Sequence, residues 1–136
     1  MIKPRGMTGL DTNILVRYFA KDDLEQSCKA ALLIRQLTLE SPGYVSLVSL
    51  IELVWVMRSR YRLSKADLIR HLELLIGSPE IMMESQTAVT LALRRFAMFR
   101  ADFTDCLIER LGASAGCAET VTFDVDASRF AGMRLI

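Results

Sequence analysis

The sequence has little of what several common enzyme classes require. Its 136 residues include one histidine, His71, so a multi-histidine metal site is excluded and a Ser-His-Asp relay has little room. The three cysteines, Cys28, Cys106 and Cys117, cannot form a closed set of disulfides, and they lack the paired spacing of zinc ligands. We therefore interpret them as reduced thiols and expect a cytoplasmic protein.

Long apolar runs and terminal sorting signals are also absent. No segment approaches the roughly 20 uninterrupted apolar residues that span a bilayer, and no apolar stretch follows the basic N-terminal residues as it does in a secretory signal. We expect no membrane association. A formal net charge of +1 argues against a polybasic arm or an acidic tail. The length suits one domain, which we place at residues 7–136, with residues 1–6 as an extension outside the core.

β-rich and helical segments alternate along the chain, and its three prolines and seven glycines interrupt it rarely. Strands are predicted at 8–16, 44–49, 81–84, 120–124 and 133–136. Helices are predicted after Asp23, over 50–58, after Ser64, from 85 or 87 to about 99, and over 102–115. This order predicts an α/β fold with a mostly parallel sheet. Ligands of such sheets bind at the carboxyl ends of the strands, where Asp11 and Asp124 fall.

Four acidic residues stand inside apolar segments: Asp11, Glu52, Asp105 and Asp124. A carboxylate buried in such surroundings costs several kcal/mol unless it is paired or bound to a metal. Two explanations are open. Either each acid has its own hydrogen-bond donor, as turn and helix-cap residues have, or the acids share a cation.

The spacing of Asp102 and Asp105 favours a shared cation. These residues are three positions apart on a predicted helix, so they lie about 60° apart on one face. They repel each other unless a cation or a proton intervenes. Oxygen ligands without nearby His or Cys suit Mg²⁺ or Mn²⁺. Because such an ion activates water for attack on a phosphodiester, a nuclease site without histidine is chemically coherent.

Four segments resemble the motifs of one family. Residues 10–19 (LDTNILVRYF), followed by Asp22 and Asp23, are similar to the opening of a PIN domain, and close to the toxin ribonucleases of VapBC-type toxin–antitoxin pairs. Residues 48–56 (VSLIELVWV), 101–108 (ADFTDCLI) and 121–124 (VTFD) resemble the second, third and fourth motifs. Each motif alone is a weak signal. Four motifs in this order, at distances that fit the family, are a specific signal. The resemblance covers almost the whole chain from Met7.

The resemblance implies a three-layer α/β/α fold with a mostly parallel central sheet, and an RNA endonuclease that depends on Mg²⁺ or Mn²⁺. Carried over motif by motif, the metal ligands are Asp11, Glu52, Asp105 and Asp124. Asp102 matches a further catalytic acid that assists them. The residues matching supporting positions are Thr12, Asn13 and Ser49. The resemblance also implies a cognate antitoxin as inhibitor, and the long apolar helices are compatible with a homodimer.

Two further acids leave the composition of the pocket open. Glu109 and Arg110 stand where family members often have small residues. Glu109 follows Asp105 by one turn, so it either reaches the pocket or, as we favour, has a surface or ion-pair role. Asp126 is an alternative to Asp124, although Asp124 matches the motif better.

Basic and aromatic residues offer a means of RNA binding. The guanidinium group of arginine donates paired hydrogen bonds to phosphate groups. Two groups of arginines lie near the second and third motifs: Arg58, Arg60, Arg62, Arg94, Arg95 and Arg100. A solvated face or an antitoxin contact would explain them equally well. Base stacking is open to four aromatic residues, for which core or interface positions are the commoner role: Tyr44, Trp55, Tyr61 and Phe99. We expect His71 at the surface and Cys106 in the core.

The main hypothesis is a metal-dependent toxin ribonuclease that cleaves RNA by means of a metal-activated water. The alternative is a PIN-like module that binds RNA or protein without cleavage, although all four motif acids are present. A DNA flap nuclease is a third possibility, which the small size and the lack of a helical arch disfavour. Without the five acids of the motifs, the formal net charge of +1 becomes about +6, a basic body that suits a polyanionic substrate.

Overall fold

The computed structural model describes residues 6–136. The chain divides into two compact units, Met1–Glu84 and Ser85–Ile136, which we call the first and the second unit. Residues 1–5 of the predicted extension lie outside the described residues. The assignment of residues 7–136 to one domain stays a prediction.

The first unit is built on a parallel sheet with the strand order β1-β2-β3. The strands are short: β1 Thr8–Gly9, β2 Gly43–Val45 and β3 Ile81–Met83. Four helices connect them: α1 Thr12–Ala20, α2 Leu24–Gln36, α3 Leu47–Ser59 and α4 Lys65–Gly77. In register, Gly9 lies opposite Tyr44, which lies opposite Met82. Each parallel connection passes through helices, as parallel pairing requires.

The core of the first unit comes from one face of each helix and from the strand residues. Leu15 of α1 and Leu50 of α3 are completely buried, and α4 buries the stripe Leu68, Leu72 and Leu75, as its period predicts. Gly43 lies where this core meets the sheet. A Cβ atom there would lie 2.8 Å from Leu37 Cδ1 and 2.9 Å from Leu10 Cδ1, so a larger residue would displace both leucines.

The second unit consists of three helices and a parallel pair of strands. Its elements are α5 Gln86–Met98, α6 Phe103–Ser114, β4 Val121–Thr122, α7 Val125–Phe130 and β5 Arg134–Leu135. The rings of Phe96 and Phe103 meet edge to face at 5.9 Å between α5 and α6. Arg95 of α5 donates to the Phe130 carbonyl at the end of α7 (2.8 Å). These contacts join α5 to each of the other two helices of the unit.

The α/β class and the parallel pairing predicted from the sequence are confirmed, and they are consistent with a PIN-like α/β/α fold. The first two strands are much shorter than predicted. Residues 12–16 and 47–49 are helical because Asp11 and Ser46 cap helices α1 and α3. Apolar residues around a polar centre suggested a strand at 8–16, and alternating polarity suggested one at 44–49, but the capping side chains start helices instead. The six-residue helix α7 was not predicted.

Several helix boundaries were correctly predicted from capping patterns. Asp23 caps α2 by accepting from the Gln26 N–H, and Ser64 caps α4 by accepting from the Asp67 N–H. The α6 helix ends where Gly116 adopts a φ of 98°, a left-handed conformation that favours glycine. Within residues 6–136, no helix combines the length and the apolar character needed to cross a membrane.

Candidate active site

Three of the predicted site acids occupy the first position before a helix. Asp11, Asp102 and Asp124 are the N-cap residues of α1, α6 and α7, and Asp105 lies in the first turn of α6. Asp11 Oδ1 accepts from the Thr12 N–H at 2.9 Å, and Asp124 Oδ1 accepts from the Ala127 N–H at 3.0 Å. Asp102 makes no capping hydrogen bond. Helix starts therefore hold the carboxylates of Asp11 and Asp124, as the capping explanation expected.

The burial inferred from the apolar sequence context is wrong for most of the acids. Asp11, Glu52 and Asp124 are exposed, and Asp105 is half-buried. A cap residue has extended backbone and stands outside the helix, so apolar neighbours in sequence do not enclose it. Glu52 lies on a face of α3 that also exposes Val48 and Trp55. For these exposed acids, desolvation gives no argument for a metal.

The second unit brings three carboxylates into electrostatic contact. The pKa of Asp105 is raised above its usual range, first by partial burial and then by the negative charges of Asp102 and Asp124. The pair Asp102 and Asp105 was predicted from its helical spacing, whereas Asp124 joins it only through the fold. Ionised Asp105 is therefore disfavoured by its surroundings unless a positive charge balances the group.

A carboxylate group of this kind has the donor chemistry of a hard cation. Its ligands are all oxygen, and their mutual repulsion would be relieved by Mg²⁺ or Mn²⁺. Among residues 6–136, however, no group of three or more His, Cys, Asp or Glu side chains has an arrangement that could hold a metal ion as it stands. The residues thus fit the ion in chemical type, and they would need to adjust in position to bind it.

Glu52 of the first unit borders an open cavity of about 350 Å³. Thr12 and Asn13, which directly follow Asp11, line this cavity together with Trp55 and Arg60. Glu52, the second motif acid, and the two residues that follow the first motif acid thus border one space. Thr12 is buried and its backbone N–H supports Asp11, while Asn13 is exposed.

Ser49, predicted to support Glu52 or the nearby backbone, takes part in the start of α3. Its backbone N–H donates to Ser46 Oγ at 3.1 Å, and its own hydroxyl accepts from the Ser46 hydroxyl at 3.3 Å. These contacts fix the first turn of the helix that carries Glu52. The assignment of supporting roles to Thr12, Asn13 and Ser49 stays a prediction.

A polar network beside this cavity was missed by the sequence analysis. Arg17 donates to Asp22 Oδ1 (2.9 Å) and to Gln26 Oε1 (2.7 Å), and Tyr61 donates to Asp22 Oδ2 (2.6 Å). The Tyr61 hydrogen bond lowers the pKa of Asp22, and the same bond raises the pKa of the Tyr61 hydroxyl. Opposite charges at Arg17 and Asp22 were visible in the sequence, but the distant Tyr61 had no local signal.

The candidate RNA-binding arginines differ in their surroundings. Arg58 donates to the Leu63 carbonyl (2.8 Å), and Arg95 donates to Phe130 and lies over the Phe99 ring. The other four are exposed: Arg60, Arg62, Arg94 and Arg100. Of the candidate stacking residues, Trp55 and Phe99 are exposed, whereas Tyr44 and Tyr61 are half-buried.

The remaining candidates are resolved by their contacts. Glu109 accepts two hydrogen bonds from Arg110, at 2.6 and 2.9 Å, which is the ion-pair role that we favoured. Asp126 is exposed in the first turn of α7. Cys106 is completely buried, as expected, and the three cysteines form no disulfide.

His71, which we expected at the surface, is half-buried. Its ring lies 4.4 Å from the Phe19 ring, and its Nδ1 atom is buried without a hydrogen-bond partner among the described residues. Partial burial, together with the nearby charge of Arg70, lowers its pKa. The polar neighbours Arg70 and Glu73 suggested a solvated helix face, but α4 turns His71 towards α1.

Comparison with known proteins bears on the whole set of motifs. No curated protein matched the chain. A model of the PIN domain family matches residues 10–133, a range that contains all five predicted site acids. PIN domains are generally metal-dependent nucleases, and the family implies a nucleic-acid substrate. Since the match extends over nearly the entire chain, this protein belongs to the PIN domain family.

Proposed function

We propose that the protein is a divalent-metal-dependent endoribonuclease and that it is the toxin of a toxin–antitoxin pair. The observation that carries the nuclease proposal is the group Asp102, Asp105 and Asp124, in which partial burial and then mutual repulsion raise the pKa of Asp105. Carboxylates held together against their repulsion are typical of a cation site. The four-motif resemblance supports the narrower assignment to a toxin ribonuclease.

The proposed metal ligands are Asp11, Glu52, Asp105 and Asp124, with Asp102 assisting. When bound, Mg²⁺ or Mn²⁺ would supply an activated water and neutralise charge on the scissile phosphate. Asp11 and Asp124 each use one oxygen for helix capping, which leaves the second oxygen for the ion. Exposed arginines would hold the RNA backbone through paired hydrogen bonds.

The partners follow from the same proposal. A cognate antitoxin would mask the acidic residues, and a homodimer is compatible with the apolar helices. Reduced cysteines and an RNA substrate support a cytoplasmic location. Expression of a toxin ribonuclease should arrest cell growth. Co-expression of the neighbouring small reading frame should relieve this arrest if that frame encodes the antitoxin. Arrest that persists with every neighbouring frame would contradict the toxin–antitoxin assignment and leave the nuclease proposal intact.

Substitution of Asp11 by Asn tests the nuclease proposal. Asparagine keeps the oxygen that caps α1, so the fold should be retained while metal-dependent cleavage of single-stranded RNA falls by about a hundredfold or more. Loss of a group that only hydrogen-bonds to a metal ligand already lowers metal affinity or activity by tenfold to about a hundredfold. Cleavage is measured with a labelled RNA in Mg²⁺, in Mn²⁺ and in EDTA.

Asp23→Asn is the matched control, because Asp23 caps α2 of the same unit by accepting from the Gln26 N–H. It should cleave RNA like the wild type. Undiminished cleavage by a clean Asp11→Asn preparation would overturn the proposal, as would equal losses in both variants.

A second candidate is a PIN domain that binds RNA or protein without cutting it. It is favoured by the observation that no group of three donors within residues 6–136 is already arranged for a metal. Calorimetric titration with Mn²⁺ separates the two. Heat of binding that disappears in Asp105→Asn supports the nuclease, whereas no binding at millimolar metal supports the inert module.

A further inference from the structure

The cavity beside Glu52 combines features of a nucleotide-binding site. Its volume of about 350 Å³ lies at the lower end of small-ligand pockets, roughly 300–1,000 Å³. Glu52 and the two residues after Asp11 border it. Under the proposed function, the scissile phosphate lies at the metal ligands, which include Asp11 and Glu52. A nucleotide next to that phosphate would therefore extend into this space.

Trp55 gives the cavity an exposed aromatic face. It is three positions after Glu52 on α3, so both side chains lie on one face of the helix. The side chain lines the cavity and is 62% exposed. Aromatic faces of this kind stack on nucleic-acid bases with little regard to base identity. Asn13 lines the same space with an amide that both donates and accepts hydrogen bonds.

The positive charge available to a phosphate is that of Arg60. The other arginine lining the cavity, Arg17, is held by Asp22 and Gln26, so its charge is already balanced. Among the described residues no acidic side chain pairs with exposed Arg60. The hydrogen bonds of Arg17 and Tyr61 to Asp22 hold two further residues of the cavity lining in place.

We propose that this cavity is a nucleotide subsite of the RNA substrate, in which one base stacks on Trp55 and the adjoining phosphate binds Arg60. The inference rests on the proposed ribonuclease function and adds where the strand is held. Trp55 and Arg60 are positioning residues for a single-stranded segment, and the stacking makes the subsite tolerant of base identity.

The sole tryptophan of the chain makes the subsite directly observable. Full-length protein in EDTA, where cleavage cannot proceed, is titrated with a mixed-sequence single-stranded oligoribonucleotide. Stacking should quench Trp55 fluorescence in a saturable manner. In anisotropy measurements with labelled RNA, Trp55→Ala should weaken binding by about tenfold, and Trp55→Phe should retain most of the affinity.

Two matched variants keep this test specific. Val48 is another exposed apolar residue on the same face of α3, so Val48→Ala should bind like the wild type. Arg60→Gln should weaken binding and reduce the salt dependence by about the share of one phosphate, a slope near 0.7 for single strands. Arg70→Gln removes an exposed arginine of α4 outside the cavity. It should change neither the affinity for RNA nor the salt dependence of binding.

The outcomes separate the subsite from the nuclease. Metal-dependent cleavage without Trp55 quenching, and with unchanged affinity in Trp55→Ala, would overturn the subsite and leave the nuclease standing. Quenching without cleavage in any metal would support the subsite and overturn the nuclease. Trp55 fluorescence that changes with protein concentration and not with RNA would overturn the subsite, because this face would then join two copies of the chain.

Discussion

The site acids of the two units stand in different surroundings. In the first unit, Asp11 and Glu52 are exposed, and Glu52 borders an open cavity that Trp55 also lines. In the second unit, Asp105 is half-buried, and the negative charges of Asp102 and Asp124 help to raise its pKa. The first arrangement provides space for a ligand at little electrostatic cost. The second concentrates negative charge, which costs free energy of folding unless a cation balances it.

The largest expected effect separates Asp105 from Glu52. Asp105→Asn and Glu52→Gln should each lower metal-dependent RNA cleavage by about a hundredfold or more, because each removes a proposed metal ligand. Their effects on stability should differ. Because the pKa of Asp105 is raised, its ionised form is less favourable in the folded than in the unfolded chain. Asp105→Asn should therefore raise Tm in EDTA at neutral pH, and Glu52→Gln should leave it unchanged.

Calorimetry in EDTA and cleavage assays in Mg²⁺ measure both quantities on the same preparations. Equal changes in Tm for the two variants would contradict the difference in electrostatic surroundings between Asp105 and Glu52. A lower Tm in Asp105→Asn would show that this carboxylate stabilises the fold.

A smaller effect distinguishes capping from metal binding at Asp124. Asp124→Ala should lower the free energy of unfolding by about 1 kcal/mol, because the Ala127 N–H loses its acceptor. Asp124→Asn should retain the cap and the stability. Both should lose cleavage if Asp124 is a ligand. Chemical denaturation and the RNA assay report the two roles separately.

Asp126→Ala is the control for this pair, since Asp126 is exposed two residues further along α7. It should keep both stability and cleavage. Loss of cleavage in Asp126→Ala, with normal activity in Asp124→Asn, would transfer the ligand role to Asp126.

The smallest expected effect is a dependence of stability on pH in the first unit. The pKa of His71 is lowered from 6.5 by burial and by Arg70, so the unfolded chain binds a proton more readily than the folded chain. The stability contribution of neutral His71 is present above about pH 6.5 and is lost as the pH falls through the lowered folded value. His71→Gln should flatten this part of the Tm profile, measured against Asp126→Ala as an exposed control.

Local chemistry accounts for the parts of the fold that were predicted well. The N-caps Asp23 and Ser64 act on backbone N–H groups three residues away, so their effect can be read from a short segment. The proximity of Asp102 and Asp105 also follows from a short segment, although Asp102 is the N-cap residue of α6 and stands before the helix. The strand predictions were wrong at residues 12–16 and 47–49 because the polarity patterns there are compatible with strands, whereas the capping residues Asp11 and Ser46 start helices.

By itself, the sequence determined the α/β class, most helix boundaries, the order of the motifs and the acids that carry them. Those features depend on side chains a few positions apart. Only the tertiary structure decided which acids are exposed, that Asp124 acts on Asp105, and that His71 packs against Phe19. Tyr61 and Asp22, which are 39 positions apart, likewise meet only through folding. Burial and charge interaction depend on distances in space, and for residues far apart in the chain the core packing sets those distances.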